Sequence, residues 1–140
     1  MIRLYQESDF YDIVFLDSIG YARPCSRDEL KKALRGPTWV ALDGDSVIGF
    51  LISSTELDKA LIWSVVTSPN RRKKGVAAQL IAEAEKFYAG KELYLYVDVN
   101  NPAQKLYFDC GFRSRAILKK FYGDLDAIEM AKEAQMTINH

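Results

Sequence analysis

Histidine is almost missing from this chain, and its one example is His140. Cysteine is nearly as scarce: Cys25 and Cys110 lie far apart, in no CxxC or Cys/His spacing. A zinc site would have almost no ligands to draw on, so no metal is expected. The two thiols read as buried or half-buried free cysteines, with a disulfide or a nucleophile as the alternatives. No stretch approaches the ~20 apolar residues of a membrane span. The opening MIRLYQESDF has no apolar core of signal-peptide length. The expectation is a soluble, cytoplasmic chain in a reducing compartment, with no membrane partner. Neither sign of charge dominates, because 19 basic residues stand against 19 acidic ones. A duplex-binding protein usually shows a basic excess. GxGxxG and GxxxxGK[ST] are both absent, which argues against a dinucleotide fold and excludes a Walker-A phosphate loop.

Apolar material is plentiful. Of the 140 residues, 49% are hydrophobic and 12% aromatic, enough for a real core in one domain. Ile2–Gln6 alternates as a half-buried strand would, and Ser8 is placed to cap a helix ending near Gly20. Ser26 with Glu29 has capping-box spacing ahead of Leu30, Ala33 and Leu34. TWVALDGDSVIGFLISS reads as a hairpin turning at Asp43-Gly44-Asp45. Ala60–Ser68 is so apolar that a central strand covered on both faces is expected. Val76, Leu80, Ala84 and Phe87/Tyr88 then recur at helical spacing, with Ile81 widening the stripe. Glu92–Val99 alternates, leucines and valines on one side, tyrosines and Asp98 on the other. A short Pro-led helix follows and stops at Gly111. FRSRAIL and DAIEMA close the chain as strands. The order is β-α-α-β-β-β-α-β-α-β-β, a mixed α/β sheet with helices packed on it.

The densest positive charge, Arg71 to Lys74, sits between the apolar strand and the next helix. The first amides of a helix have no intrahelical partner and lie at its electropositive end. Gly75 and Ala77 leave the backbone bare there, so an oxyanion could approach those amides. On composition alone a solvated basic turn is an equal reading, and RNA binding is a third.

Two segments together resemble the GNAT superfamily of acetyl-CoA-dependent N-acetyltransferases. Arg72-Lys73-Lys74-Gly75-Val76-Ala77 is similar to that family's Q/R-x-x-G-x-G/A loop, with Pro69 three residues ahead. NNPAQKLYFDCGF is similar to its N-x-x-A-x-x-L-Y-x-x-x-G-F segment, with Asn100, Ala103, Leu106, Tyr107, Gly111 and Phe112 in register. The element order agrees, so the resemblance covers nearly the whole chain: a single domain over residues 1–132, with 133–140 as a tail. It implies two central parallel strands that splay at the cofactor site. The pantetheine arm of acetyl-CoA would pair with backbone at Val65, Val66 and Thr67. The pyrophosphate would rest on amides from Arg72, Lys73, Lys74, Gly75, Val76 and Ala77, and Asn100 would touch the arm or cap the next helix, a cap Asn101 could equally supply.

The reaction implied is direct attack of an amine on the acetyl thioester, helped chiefly by positioning. Tyr107 holds the place of the family's leaving-group acid, and a phenol of reference pKa near 10 is protonated at neutral pH. For the base, the apolar strand offers no carboxylate; Asp98 is the first choice, with Glu56 and Asp58 as alternatives. KKFYGDLDAIEM is similar to the closing hairpin of the ribosomal-protein alanine acetyltransferases. Phe121-Tyr122 stands for the aromatic pair, and Tyr122 would line the acceptor side. The acceptor implied is a protein N-terminal α-amine, or else a small-molecule amine such as an amino acid, polyamine or antibiotic. A non-catalytic acetyl-CoA-binding module is a different class of reading. The expected assembly is a monomer or homodimer without nucleic acid.

Overall fold

A computed structural model describes residues 1–20, 24–72 and 74–134 of the chain. The elements are β1 (Ile2–Leu4), α1 (Phe10–Gly20), α2 (Arg27–Ala33), β2 (Thr38–Asp43), β3 (Ser46–Thr55), β4 (Lys59–Thr67), α3 (Val76–Phe87), β5 (Glu92–Asp98), α4 (Ala103–Asp109), β6 (Arg113–Tyr122) and β7 (Leu125–Lys132). This is the order the hydrophobic periods predict. The strands hydrogen-bond in the order β1-β2-β3-β4-β5-β7-β6. The chain folds as two compact units, Met1–Thr55 with Ile62–Phe87, and Glu56–Leu61 with residues 88 onward.

In the first unit β1, β2 and β3 form an antiparallel meander. Asp43 pairs with Ser46, so Gly44-Asp45 makes a two-residue turn where the Asp-Gly pair predicts one. Ile13 and Leu16 of α1, Leu30 of α2, Val40, Phe50, Ile52 and Val66 form its apolar core. At ~25 cal/mol per Å² of apolar surface, such burial is the main force holding the helices to the strands. Leu80, Ile81 and Ala84 of α3 are fully buried, as their spacing predicts. The Ser26 box forms as expected: Ser26 Oγ accepts the Glu29 amide at 3.1 Å, and Glu29 Oε1 accepts the Ser26 amide at 3.1 Å. Ser8, in contrast, caps nothing. A 3₁₀ turn, Glu7–Asp9, precedes α1, and buried Asp9 accepts the Gln6 amide at 2.8 Å and the Arg3 guanidinium at 2.8 and 3.0 Å.

Gly36 marks a close approach. A Cβ built there would lie 2.0 Å from the Ser53 carbonyl oxygen, because Pro37 O accepts both the Ser53 amide (2.9 Å) and its hydroxyl (2.7 Å). We expect Gly36→Ala to destabilise the fold by about 2–3 kcal/mol through overpacking against backbone. Thermal denaturation checks this; an unchanged melting temperature would rule out so tight a contact.

In the second unit Lys59–Leu61 of β4 run parallel to Glu92–Tyr94 of β5, and the register ends there. β5 then pairs antiparallel with β7, and β7 with β6. Leu93, Leu95 and Val97 are buried, while Tyr96 and Asp98 on the opposite face are half-buried. The closing strands are longer than the apolar segments suggest, since β6 runs on through Lys119-Lys120 to Tyr122. Asn101, not Asn100, caps α4, its Oδ1 accepting the Ala103 amide at 2.9 Å. The helix ends in a Schellman turn, with the Phe112 amide on Tyr107 O and the Gly111 amide on Phe108 O, both at 2.9 Å.

β4 departs from expectation. Ala60, Ile62, Ser64 and Val66 are buried, but Trp63 is 38% exposed. An apolar run predicts burial on both faces only where both faces are covered, and at Trp63 solvent reaches the strand. No helix among the described residues is long and apolar enough to cross a membrane.

Candidate active site

The basic turn begins with a 3₁₀ segment, Pro69–Arg71. It is fixed by the Ser68 amide on Ile48 O, the Arg71 amide on Ser68 O, and the Ser68 hydroxyl on Asn70 Oδ1, each at 2.8 Å. Arg71 turns its guanidinium to Asp43 at 2.5 Å. Arg72 and Lys74 are exposed. Lys73 lies outside the described residues.

Gly75 stands at φ +81°, a conformation that costs an L-residue roughly 1–2 kcal/mol. Among the described residues nothing lies within 4 Å of a Cβ built on it. Its carbonyl accepts the Gln79 amide at 3.0 Å as α3 begins. The amides of Val76, Ala77 and Ala78 thus fall in the first helical turn, ahead of any intrahelical acceptor. Val76 is buried and Ala77 half-buried, anchoring the turn from below. At the end of β4, Val66 is buried and Val65 and Thr67 half-buried. Thr67 Oγ1 is buried without a hydrogen-bond partner among the described residues. A bare cradle of amides and an unsatisfied hydroxyl next to a strand end suit a phosphate-bearing ligand with a polar arm.

The remaining predicted residues belong to the second unit. Tyr107 is half-buried on α4, its ring 6.3 Å from that of Phe112 in an edge-on contact. Asp98 is half-buried at the end of β5, and its Oδ1 accepts the Asn100 amide at 2.8 Å. Gln104 Nε2 closes the same turn on Val99 O at 2.7 Å and Asp98 O at 3.2 Å. Asn100 is exposed. Asp98 therefore works as a turn former, like Asp and Asn generally in such positions. Glu56 accepts the Tyr94 hydroxyl, and that carboxylate, after burial, pushes the phenol above its ordinary value. The Asp58 carbonyl accepts the Glu92 amide at 3.4 Å.

Tyr122 is 40% exposed, and its hydroxyl donates to Tyr96 O at 3.3 Å. Phe121 lies between, its ring 4.9 Å from Tyr122 and 4.8 Å from Tyr96. A bulge makes this possible: Lys120 takes φ +53° and its amide binds Asp126 Oδ1 at 2.9 Å. That amide first, then the Lys119 ammonium at 3.2 Å, holds the Asp126 carboxyl below the usual carboxylate range. Tyr96 lies opposite Glu129 in the β5–β7 register. The strict alternation of β5 places Tyr96 on the polar face, but nothing in the sequence shows which residue of β7 it meets.

Over 129 residues the chain is 29% identical to the [ribosomal protein bS18]-alanine N-acetyltransferase of Haemophilus ducreyi, covering 87% of this chain and 88% of that one. It is 30% identical over 74 residues to the mouse cysteine-rich protein 2-binding protein, 53% of this chain, but spans only 10% of that protein's length. The crystal structure of the ribosomal-protein-S18-alanine N-acetyltransferase from Escherichia coli superposes with a TM-score of 0.89 at 21% identity, covering 100% of this chain and 97% of that one. The family model for acetyltransferases matches residues 3–112, which takes in the Gly75 turn and runs to the end of the Asn100–Phe112 segment. The chain belongs to the acetyltransferase (GNAT) family.

Proposed function

We propose that this protein is an N-acetyltransferase that moves the acetyl group of acetyl-CoA directly to a primary amine, with a protein N-terminal α-amine as the acceptor. The observation that carries the reading is the Gly75 turn, a left-handed glycine with open space before it at the start of α3. Acetyl-CoA supplies an activated acetyl thioester. The amides from Arg72 to Ala77 hold its pyrophosphate, Arg72 and Lys74 grip outlying charge, and Val65–Thr67 take the polar arm with backbone groups. Tyr107 donates a proton to the departing thiolate. The α-amine acceptor is supported by the closing hairpin and by the Haemophilus ducreyi relative, whose name specifies an alanine amine and whose length this chain nearly spans. One catalytic domain over residues 1–132 is part of the same reading.

Thermal shift tests the first half. A ligand at 100 times its Kd stabilises the fold it binds by about 2.7 kcal/mol. We expect acetyl-CoA far above micromolar concentration to raise the melting temperature by several degrees; no shift would overturn the reading. Thiol release with peptides carrying free or blocked N-termini, alongside small amines, then separates the acceptors. Binding without release for any amine would mark a non-catalytic module.

A further inference from the structure

The second unit holds a cavity of about 520 Å³ that none of the roles assigned above uses. That volume falls within the range of small-molecule sites, about 300–1,000 Å³. Its wall carries Arg113, Ser114 and Arg115 at the start of β6, Lys132 and Glu133 where β7 ends, and Glu92 at the start of β5. Three cations against two carboxylates leave the wall with one positive charge in excess. β6 is an edge strand, and its register with β7 slips between Ser114 and Ala116. Such a bulge leaves one residue, here Arg115, outside the ladder and re-aims its side chain.

Both arginines are fixed before any ligand arrives. Arg115 gives Nε to Glu129 at 2.8 Å and Nη1 to Glu92 at 2.6 Å, so carboxylates of the sheet already meet its charge. Arg113 is held differently. Its Nη1 donates to two carbonyls, Phe108 O at 3.1 Å and Phe112 O at 2.8 Å, and its guanidinium carbon lies 4.0 Å from the centre of the Phe108 ring. Carbonyl oxygens and an aromatic face position a guanidinium without cancelling its charge. Nε and Nη2, the two nitrogens of its side-on edge, donate to no described residue. Parallel N–H groups on one edge match two oxygens of a carboxylate or phosphate. Since the plane is already held, binding costs little further side-chain freedom. Lys132 Nζ donates to Cys110 O at 2.9 Å, which fixes another positive charge on the same wall.

We propose that this cavity binds a small dissolved molecule through a carboxylate or phosphate group held side-on by Arg113. Arg113 supplies the fork, Lys132 adds charge and Ser114 a hydroxyl. Arg115, spent on Glu92 and Glu129, braces the wall. Glu133 limits what the site accepts: one oxyanion group is offset by the wall, whereas a polyphosphate brings more negative charge than the wall can offset. None of these residues lies in the two segments that resemble the acetyltransferases, and the site stands whether or not acetyl-CoA binds.

The test follows the backbone amides of Ser114 and Arg115 by heteronuclear NMR as inorganic phosphate, and separately succinate, is added to the full chain. Ionic strength is kept low and constant, because at about 0.1 M salt exposed charges are screened beyond about 10 Å. Two charge-assisted hydrogen bonds predict saturable shifts with a Kd of roughly 1 mM or below. Arg113→Lys keeps the charge and loses the fork, so the Kd should rise by roughly tenfold or more. Saturation by phosphate alone assigns a phosphate ligand, by succinate alone a carboxylate, and by both the chemistry the two share. Shifts that saturate with neither anion overturn the proposal on the wild type alone, whether or not the variant folds. So does saturation that Arg113→Lys leaves unchanged, which would put the anion elsewhere.

Discussion

Tyr107→Phe should lower turnover by roughly 10²–10⁴-fold while leaving acetyl-CoA binding intact. The substitution removes one oxygen. The ring that meets Phe112 edge-on at 6.3 Å is kept, and so is helix α4 with its Asn101 cap and Schellman end. What goes is a hydroxyl of reference pKa near 10, protonated at neutral pH and able to donate to a sulfur leaving as thiolate. In the reading proposed here the loss falls on kcat, because the hydrogen bond strengthens only as charge develops on sulfur. Steady-state thiol release checks the rate, and thermal shift with acetyl-CoA checks the binding. Near-normal turnover with binding intact would remove Tyr107 from the mechanism and leave it a half-buried packing residue.

The second large effect is expected at Gly75. Gly75→Val forces a β-branched residue to φ +81°, at a cost of about 1–2 kcal/mol or more. It also puts a branched side chain into space that is now open. If the amides there carry the pyrophosphate, losing two charge-assisted hydrogen bonds at about 1.5–3 kcal/mol each weakens acetyl-CoA by at least ~10²-fold. Lys74→Ala, which removes an exposed ammonium, should cost far less, as exposed charges generally do. Lys73→Ala belongs in the same comparison. Calorimetric titration of acetyl-CoA against the variants decides the matter. A lysine change worse than Gly75→Val would mean that side-chain charge, not backbone, holds the ligand.

Much of this could be read from the sequence because it is local. The Ser26 box, the Gly44-Asp45 turn, the Asn101 cap and the end of α4 each close within a few residues, so the amino acids involved announce the geometry. The Gly75 turn belongs to the same class: a glycine between a strand end and a helix start needs no distant partner to leave its amides bare. The element order followed from the periods of 2 and 3.6 in the apolar residues. Where local reasoning failed, a distant group had intervened. A 3₁₀ turn, Glu7–Asp9, takes Ser8 into it, and Asp9 there is held by the Arg3 guanidinium.

The amino-acid order was thus sufficient for the element sequence, the glycine turn ahead of α3 and the place of Tyr107 on α4. The partners on the polar face of β5 were settled by folding. Tyr96 meets Glu129, and Glu129 meets Arg115, because β5, β7 and β6 adopt one particular register. A slip of one residue would send every one of those side chains to the opposite face. Register depends on the hydrophobic match of whole strands and on the bulge at Lys120, neither of which any short stretch encodes. The turns and caps that close within a few residues are therefore visible in the chain as written, while the sets that face one another across strands exist only in the folded sheet.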